Sequence, residues 1–339
     1  MSGEAGTHFG RYRLLRTIAS DAVSTTHFAT TEGGRQRALG RSTGVEHYAI
    51  RISAPVDPND QPAVEVVRQY LSEAQRAGVV DHPTVVRPHD LGIIDGQPYV
   101  ATPFIRAVPL GELLAHGGTI NQPAALAMFA QLAAALDTAH RAGVVHGALS
   151  PRTIWVGPGM GEGAAYVAYL TGFGTATLLR HHMEQAPPGP PVEDVLYVAP
   201  EQLRGEPVTG GSDQYALACA VFHTLAGSAP FARDTRSKLY GAHLLAPPPV
   251  LEAQDSVGAP TTKAALLRAM SKSPDERYAT CGALIHEALP VDPPKPARFA
   301  GTGRGTRTAA RRTTPVGGRR SWWPFAVAAL ALLVAGAAL

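Results

Sequence analysis

A change of hydropathy rhythm near Leu110 constrains the fold of this chain more than any other feature. Between residues 9 and 110 short apolar runs alternate with polar ones, predicting strands over Phe9–Ile18, Thr25–Ala29, Tyr48–Ser53, Val85–Ile94 and Gln97–Phe104. One segment breaks the series: Gln61–Val80 carries Val64, Val67, Leu71 and Ala74 at helical spacing on one face. Beyond Leu110 the rhythm is helical, with long apolar helices predicted over Pro123–Ala142 and Ser212–Ala226. Residues 180–195 are proline-rich and predict a loop. A small strand-rich half followed by a larger helical half defines an α+β chain of two unequal lobes. No internal repeat is visible.

The 339 residues leave room for one large bilobal domain, or two of ordinary size, and a tail. The two cysteines, Cys219 and Cys281, have neither disulfide nor metal spacing and read as small buried residues within helices, consistent with a reducing cytosol. Charge is unevenly placed. The net value is +3, yet residues 295–320 hold eight basic groups and no acid, so 22 basic and 27 acidic groups remain elsewhere. The body is mildly acidic, which argues against nucleic-acid binding by the folded part. Residues 291–320 are rich in Pro, Gly, Thr and Arg, too polar for a core, and predict a linker. Trp322–Leu339 follows with no charge in 18 residues, enough for a helix of roughly 27 Å that spans a bilayer. Trp322 and Trp323 stand where interfacial aromatics belong, and the basic flank places residues 1–320 in the cytoplasm. Met1–Leu15 lacks an apolar run, so no signal peptide is expected.

Short motifs carry the functional reading. Ala49-Ile50-Arg51 lies on a predicted strand, and Glu73 on the helix after it. His146-Gly147-Ala148-Leu149-Ser150-Pro151-Arg152-Thr153 joins the long helix to an apolar run. Phe173-Gly174, Ala199-Pro200-Glu201, Asp213 at the start of a helix, and Arg277 follow in that order. Together their order and spacing over roughly residues 9–290 resemble the eukaryotic-type serine/threonine protein kinases, in the flavour of bacterial membrane-anchored members. The resemblance implies a bilobal protein kinase-like fold. A small antiparallel sheet with one helix occupies residues 9–106, and a larger helical lobe residues 107–290. The linker at 291–320 and the membrane helix at 322–339 complete the expected organisation.

What the resemblance implies for the residues divides in two. The architectural positions are kept: His146 and Phe173, Asp213 as acceptor for the catalytic-loop backbone, and Glu201 with Arg277 as a buried ion pair. The phosphate-handling positions are altered. The family's H-R-D-L-K-P-x-N reads Ala148 for the base, Ser150 for the lysine and Thr153 for the metal-binding Asn. Gly172 stands for the metal-binding Asp of D-F-G, and Gly147 for the arginine that reads activation-loop phosphate. Loss of a general base alone costs about 10²–10⁴-fold in rate. The glycine loop reads Ile18-Ala19-Ser20-Asp21-Ala22-Val23-Ser24-Thr25-Thr26, with Ala19, Asp21 and Ser24 at the three glycine positions. Side chains there keep backbone amides away from phosphate, and an ordinary hairpin is the other reading. Arg51 replaces the lysine and is expected to pair with Glu73, a contact compatible with a nucleotide. Ala49, Thr102 and Phe104 complete the nucleotide-site remnants. From Leu178 to Tyr197 there is no Ser or Thr to phosphorylate.

The expected function is that of a membrane-anchored pseudokinase, a binding, scaffolding or regulatory module in phospho-signalling with no or very weak phosphoryl transfer. The alternative is a divergent ATP-dependent serine/threonine protein kinase with relocated catalytic groups. No cofactor is expected. ATP binding is left open, and Mg²⁺ is not expected where its two protein ligands are Gly172 and Thr153. Expected partners are other proteins, such as an active kinase or a phosphothreonine-reading domain, and membrane lipid. Thr306, Thr308, Thr313 and Thr314 lie among arginines, where phosphate would make charge-assisted contacts. The plainer reading of that stretch is a basic linker leaning on anionic lipid at about 1 kcal/mol per residue.

Overall fold

A computed structural model describes residues 7–31, 46–115, 120–159, 166–185, 193–251 and 260–289. The amino-terminal part contains strands β1 (Thr7–Phe9), β2 (Tyr12–Ser20), β3 (Ser24–Thr31) and β4 (His47–Ser53), helix α1 (Gln61–Arg76), and strands β5 (Asp90–Ile94) and β6 (Gln97–Pro103). All six strands pair antiparallel in one sheet, in the order β1-β2-β3-β4-β6-β5. The carboxy-terminal part holds β7 (Val108–Pro109), α2 (Leu110–Ala115), α3 (Gln122–Arg141), β8 (Ile154–Pro158), β9 (Tyr166–Leu170) and α4 (Thr175–Gln185). It continues with α5 (Pro200–Leu203), α6 (Gly210–Ala226), α7 (Arg236–Leu245), α8 (Pro260–Ala269) and α9 (Cys281–Ala288). Strands β7, β8 and β9 form a second small antiparallel sheet.

Register decides which side chains meet the site. Ala49 faces Thr102 and Phe28, while Arg51 faces Val100 and Thr26. Directly opposed residues share a face, so this row points one way. The alternate residues Tyr48, Ile50 and Ile52 point the other way and pack with Phe9, Tyr12, Ala29, Tyr99 and Ala101 into a core. Tyr12, Tyr99 and Arg11 all bond Asp90, which ties β2 to the far edge strand. Helix α1 begins at Asp60, whose side chain accepts from Ala63 N–H at 3.1 Å, with a proline in the first turn.

Three expectations need correction. The buried face of α1 is Val67, Tyr70 and Ala74, with Val64 and Leu71 only partly covered. The face is rotated because Tyr70, fully buried, takes the position that the pattern gave to Leu71. The strand expected from Val85 starts only at Asp90. Pro88 interrupts the donors, and Val85 instead bridges in parallel to Leu170, with Val86 N–H bonded to Leu170 O at 2.9 Å. The loop expected over 180–195 is helical up to Gln185, because Leu178 and Leu179 bury one side of α4 ahead of the prolines.

The helical core rests on α3 and α6, whose inward residues are almost wholly buried. Helix α6 is capped by Thr209, with Ser212 completing the capping box, and ends at Gly227 in a left-handed conformation at φ 79°. Cys219 and Cys281 are buried on α6 and α9, as expected. Arg277 and Glu201 form a two-pronged ion pair at 2.7 and 2.8 Å with side chains 0% and 2% exposed. Ser212 Oγ donates to the same carboxylate at 2.8 Å, and Arg277 also donates to Gly211 O and Ser271 O. Burial alone would raise the Glu201 pKa, but its bonds to Arg277 and Ser212 hold it below the ordinary carboxylate value.

The linker and the proposed membrane helix at 291–320 and 322–339, with Thr306, Thr308, Thr313 and Thr314, lie outside the described residues. Among the described residues no helix is long and apolar enough to cross a membrane. The first compact unit ends at Leu289.

Arg277→Met leaves Glu201 as an unanswered buried charge and should destabilise the fold by about 3–5 kcal/mol, measured by urea unfolding. Stability should also fall with pH. Burial and the charge of Lys272 push the His243 pKa down to about 3, whereas in the unfolded chain it protonates near 6.5. The unfolded state therefore binds the extra proton throughout that window, and stability is lost as pH drops from 6.5 towards 3. His243→Asn should flatten this fall in pH-resolved thermal unfolding.

Candidate functional site

A cavity of about 260 Å³ opens beside the row formed by Ala49, Arg51, Val100 and Thr102, and Ala19, Asp21, Phe104, Ile105, Trp155, Gly172 and Phe173 also line it. Ala49, Phe104 and Trp155 give part of its lining an apolar and aromatic character. Thr102 Oγ1 donates to Ala49 O at 3.3 Å, fixing the gap between β4 and β6. The hairpin joining β2 to β3 contributes Ser20 and Asp21 to the polar part of the lining.

That hairpin is built on Asp21. Oδ1 of Asp21 accepts from Val23 N–H at 3.0 Å, Ser24 N–H at 2.8 Å and Ser24 Oγ at 3.0 Å, while Asp21 N–H donates to Ser24 O at 3.0 Å. An aspartate bonding its own backbone two and three residues ahead makes a tight turn without glycine. The reading of residues 18–26 as an ordinary hairpin fits this geometry. The other carboxylate oxygen, Oδ2, receives Arg51 Nη2 in an ion pair whose side chains are 17% and 11% exposed. Arg152, from the loop before β8, donates to Ser20 O and holds the hairpin down over the cleft.

The expected Arg51–Glu73 pair is not made. Glu73 Oε2 accepts from Thr177 Oγ1 at 2.7 Å and Oε1 from Gln69 Nε2 at 2.8 Å. The reason is α4, which packs along α1 and presents Thr177 to Glu73, while Asp21 is nearer to Arg51. Glu73 is therefore outside the cavity lining, and so is Ser24, whose hydroxyl is committed to Asp21. Gly174 permits the close approach of α4 to α1: at φ 86°, a Cβ there would lie 2.7 Å from Tyr70 O.

The loop at 146–153 is held from below. Asp213 accepts from His146 N–H at 2.9 Å, Gly147 N–H at 2.7 Å and His140 Nε2 at 2.7 Å. His146 is buried, and burial lowers its pKa, so the ring is neutral. It donates from Nε2 to Thr171 O at 2.9 Å and stacks near Phe173 at 4.6 Å between centroids. Gly147 carries no side chain, and its carbonyl accepts from Gln202 Nε2 at 2.7 Å. The Thr153 hydroxyl is spent inside the loop, accepting from Ser150 N–H at 3.0 Å and donating to Ser150 O at 3.1 Å. Ser150 is itself buried, and its Oγ accepts from Arg152 N–H.

These donors do not fit Mg²⁺. The ion needs several oxygens in an octahedral shell, whereas Ala148 and Gly172 offer no side-chain oxygen and that of Thr153 is turned inward. Gly172 adopts φ 83°, and a Cβ there would lie 2.9 Å from Thr153 Cγ2 and 3.5 Å from Arg51 Nη1. The guanidinium thus stands beside the place from which a carboxylate at 172 would project.

Sequence reasoning located Ala19, Asp21, Ala49, Arg51, Thr102, Phe104, Gly172 and Phe173, which the fold brings together. It missed Arg152 and Thr177. Arg152 sits at the free position of the loop motif, where no pattern draws attention, and Thr177 matters only because α4 is a helix. A second cluster, Asp137, His140 and Cys281, brings ligand-type atoms within 4.8 Å of one another. Its groups are already engaged: Asp137 caps α9 through Cys281 and Gly282 N–H, and His140 bonds Asp213.

The fold and site define a protein kinase-like cleft. The family profile for the protein kinase domain matches residues 38–295, and the chain belongs to that family. It is 33% identical over 296 residues to serine/threonine-protein kinase PknE of Mycobacterium tuberculosis, covering 84% of this chain and 47% of that protein. It is 34% identical over 287 residues to serine/threonine-protein kinase PknH of Mycobacterium bovis, covering 84% of this chain and 45% of that protein. The chain thus matches less than half the length of these curated relatives. The crystal structure of the PknI kinase domain of Mycobacterium tuberculosis shares the fold, with a TM-score of 0.60 at 24% identity over 85% of this chain and 98% of that one.

Gly172→Asp should not restore an ion site. A side chain at φ 83° pressed on Thr153 costs about 1–3 kcal/mol. Thermal unfolding should show a lower Tm with no rise on adding Mg²⁺.

Proposed function

We propose that this chain is a binding module of the protein kinase family, a pseudokinase that transfers phosphate weakly or not at all. The observation that carries the reading is the pairing of Arg51 with Asp21 inside the cleft. The cation that would meet phosphate is already answered by a carboxylate from the hairpin above it. Ala148 adds that a methyl group, which can take no proton, stands at the loop position of the general base. Phosphoryl transfer relies on positioning and charge neutralisation, and this cleft directs both to its own groups. Its architectural contacts, Asp213 under the loop and Glu201 with Arg277, support a role through a stable surface.

A second reading, a divergent serine/threonine protein kinase, is favoured by the relatives, which are named serine/threonine-protein kinases. Radiolabelled ATP with Mg²⁺ or Mn²⁺ separates the two. The first reading predicts no transfer to itself or a generic basic substrate above the blank. Transfer that is abolished by Arg51→Met would establish the second.

The setting belongs to the same proposal. Residues 322–339 anchor the chain in a membrane, with residues 9–290 as the kinase-like domain on the cytoplasmic side and a basic linker between them. Thr306, Thr308, Thr313 and Thr314 are available there to an active kinase and, once phosphorylated, to a phosphothreonine reader. Fractionation should place the full chain with membranes and a chain ending at residue 320 in the soluble fraction. Equal distribution of the two would contradict the anchor.

A further inference from the structure

The lining of the cleft is charge-balanced. Its charged side chains are Asp21, Arg51, Glu112 and Arg152, two acids and two bases. Arg51 pairs with Asp21, and Arg152 is bonded to Ser20 O. The positions of these groups are informative. The guanidinium of Arg51 lies 3.5 Å from where a Cβ on Gly172 would be, beside the place where the kinase resemblance puts a metal-binding carboxylate. The carboxylate of Asp21 comes from the hairpin that the resemblance would have wrap phosphate. Cation and anion are therefore both supplied by the chain. The same cavity of about 260 Å³ is also lined by apolar and aromatic side chains, among them Ala49, Val100, Phe104 and Trp155.

We infer that Asp21 and Arg51 form a built-in substitute for a metal–phosphate pair, which makes this cleft selective for uncharged planar heterocycles up to nucleoside size and against polyphosphates. The inference rests on the reading of the cleft as a binding site and names its ligand class. A polyphosphate would have to displace Asp21 from Arg51 and then lie beside that displaced carboxylate, in a lining with no net positive charge. An uncharged heterocycle meets neither obstacle. It uses the apolar part of the lining, leaves the hairpin closed under Arg152, and needs no metal ion. Asp21 is thus a specificity-determining residue. Arg51 Nε is buried with no hydrogen-bond partner among the described residues, so Asp21 engages the guanidinium through Nη2 alone.

Asp21→Asn tests this cleanly. Its amide oxygen can still accept from Val23 and Ser24 N–H, so the turn is kept while the charge is removed. Isothermal titration of the full chain in detergent would use adenosine, ATP without metal, ATP with Mg²⁺, and tripolyphosphate. The wild type should bind adenosine at least ten-fold tighter than ATP, with no gain from Mg²⁺, and should ignore tripolyphosphate. Asp21→Asn should raise the affinity for ATP and for tripolyphosphate at least ten-fold relative to that for adenosine. Asp21→Ala, checked for folding by circular dichroism, should shift the same ratio. A wild type that prefers ATP, that binds no adenosine, or whose preference survives Asp21→Asn overturns the inference. Phosphoryl transfer is scored separately: its absence can accompany either ligand preference, so failure here is distinguishable from failure of the proposed function.

Discussion

The cleft is organised by the need to answer one charge. Arg51 is carried on the middle of the sheet, on the face opposite the Tyr48–Ile50–Ile52 core, and its side chain is 17% exposed. A guanidinium cannot discard its proton, so it must find an acid. Two candidates are near in sequence logic, Glu73 on α1 and Asp21 on the hairpin. The structure gives the role to Asp21, while Thr177 on α4 takes Glu73. The hairpin that carries Asp21 thereby lines the polar part of the cavity. The left-handed glycines at 172 and 174 accommodate the result, one beside the guanidinium and one where α4 passes α1.

Around this altered centre the frame is conventional for the family. Asp213 satisfies two backbone donors of the 146–153 loop and one imidazole, and Glu201 with Arg277 ties α5 to the segment before α9. Removing a partner from either network would orphan buried polar groups, which is costly whatever the cleft does. Such contacts hold the shape of the loop from below, independently of the side chain at 148. They also explain why the architecture matches kinases across most of the chain even where the phosphate-handling residues differ.

Much of this was legible in the sequence. The strands around Ala49 and Arg51 followed from alternation, while the grouping of Ala49, Arg51, Thr102 and Phe104 came from the family resemblance, and all four line the cavity. Asp213, Glu201 and Arg277 were found because each lies in a short motif of the family, and the structure gives Glu201 and Arg277 to one another. The pairing of Arg51 was not legible, because two acids at comparable sequence distance compete and the winner depends on where α4 packs. The same helix was missed because the prolines after it dominate the local composition, while the burial of Leu178 and Leu179 is a tertiary effect. Arg152 was missed because it acts on a backbone carbonyl, Ser20 O, and such acceptors leave no mark in a sequence.

The central claim is that Arg51 is answered by Asp21 and not by Glu73. Double-mutant cycles in urea unfolding test it most directly, combining Arg51→Met with Asp21→Asn in one cycle and with Glu73→Gln in another. The account predicts a coupling of about 1–3 kcal/mol between Arg51 and Asp21, and one indistinguishable from zero between Arg51 and Glu73. The reverse pattern, with Arg51 coupled to Glu73 and independent of Asp21, would contradict it.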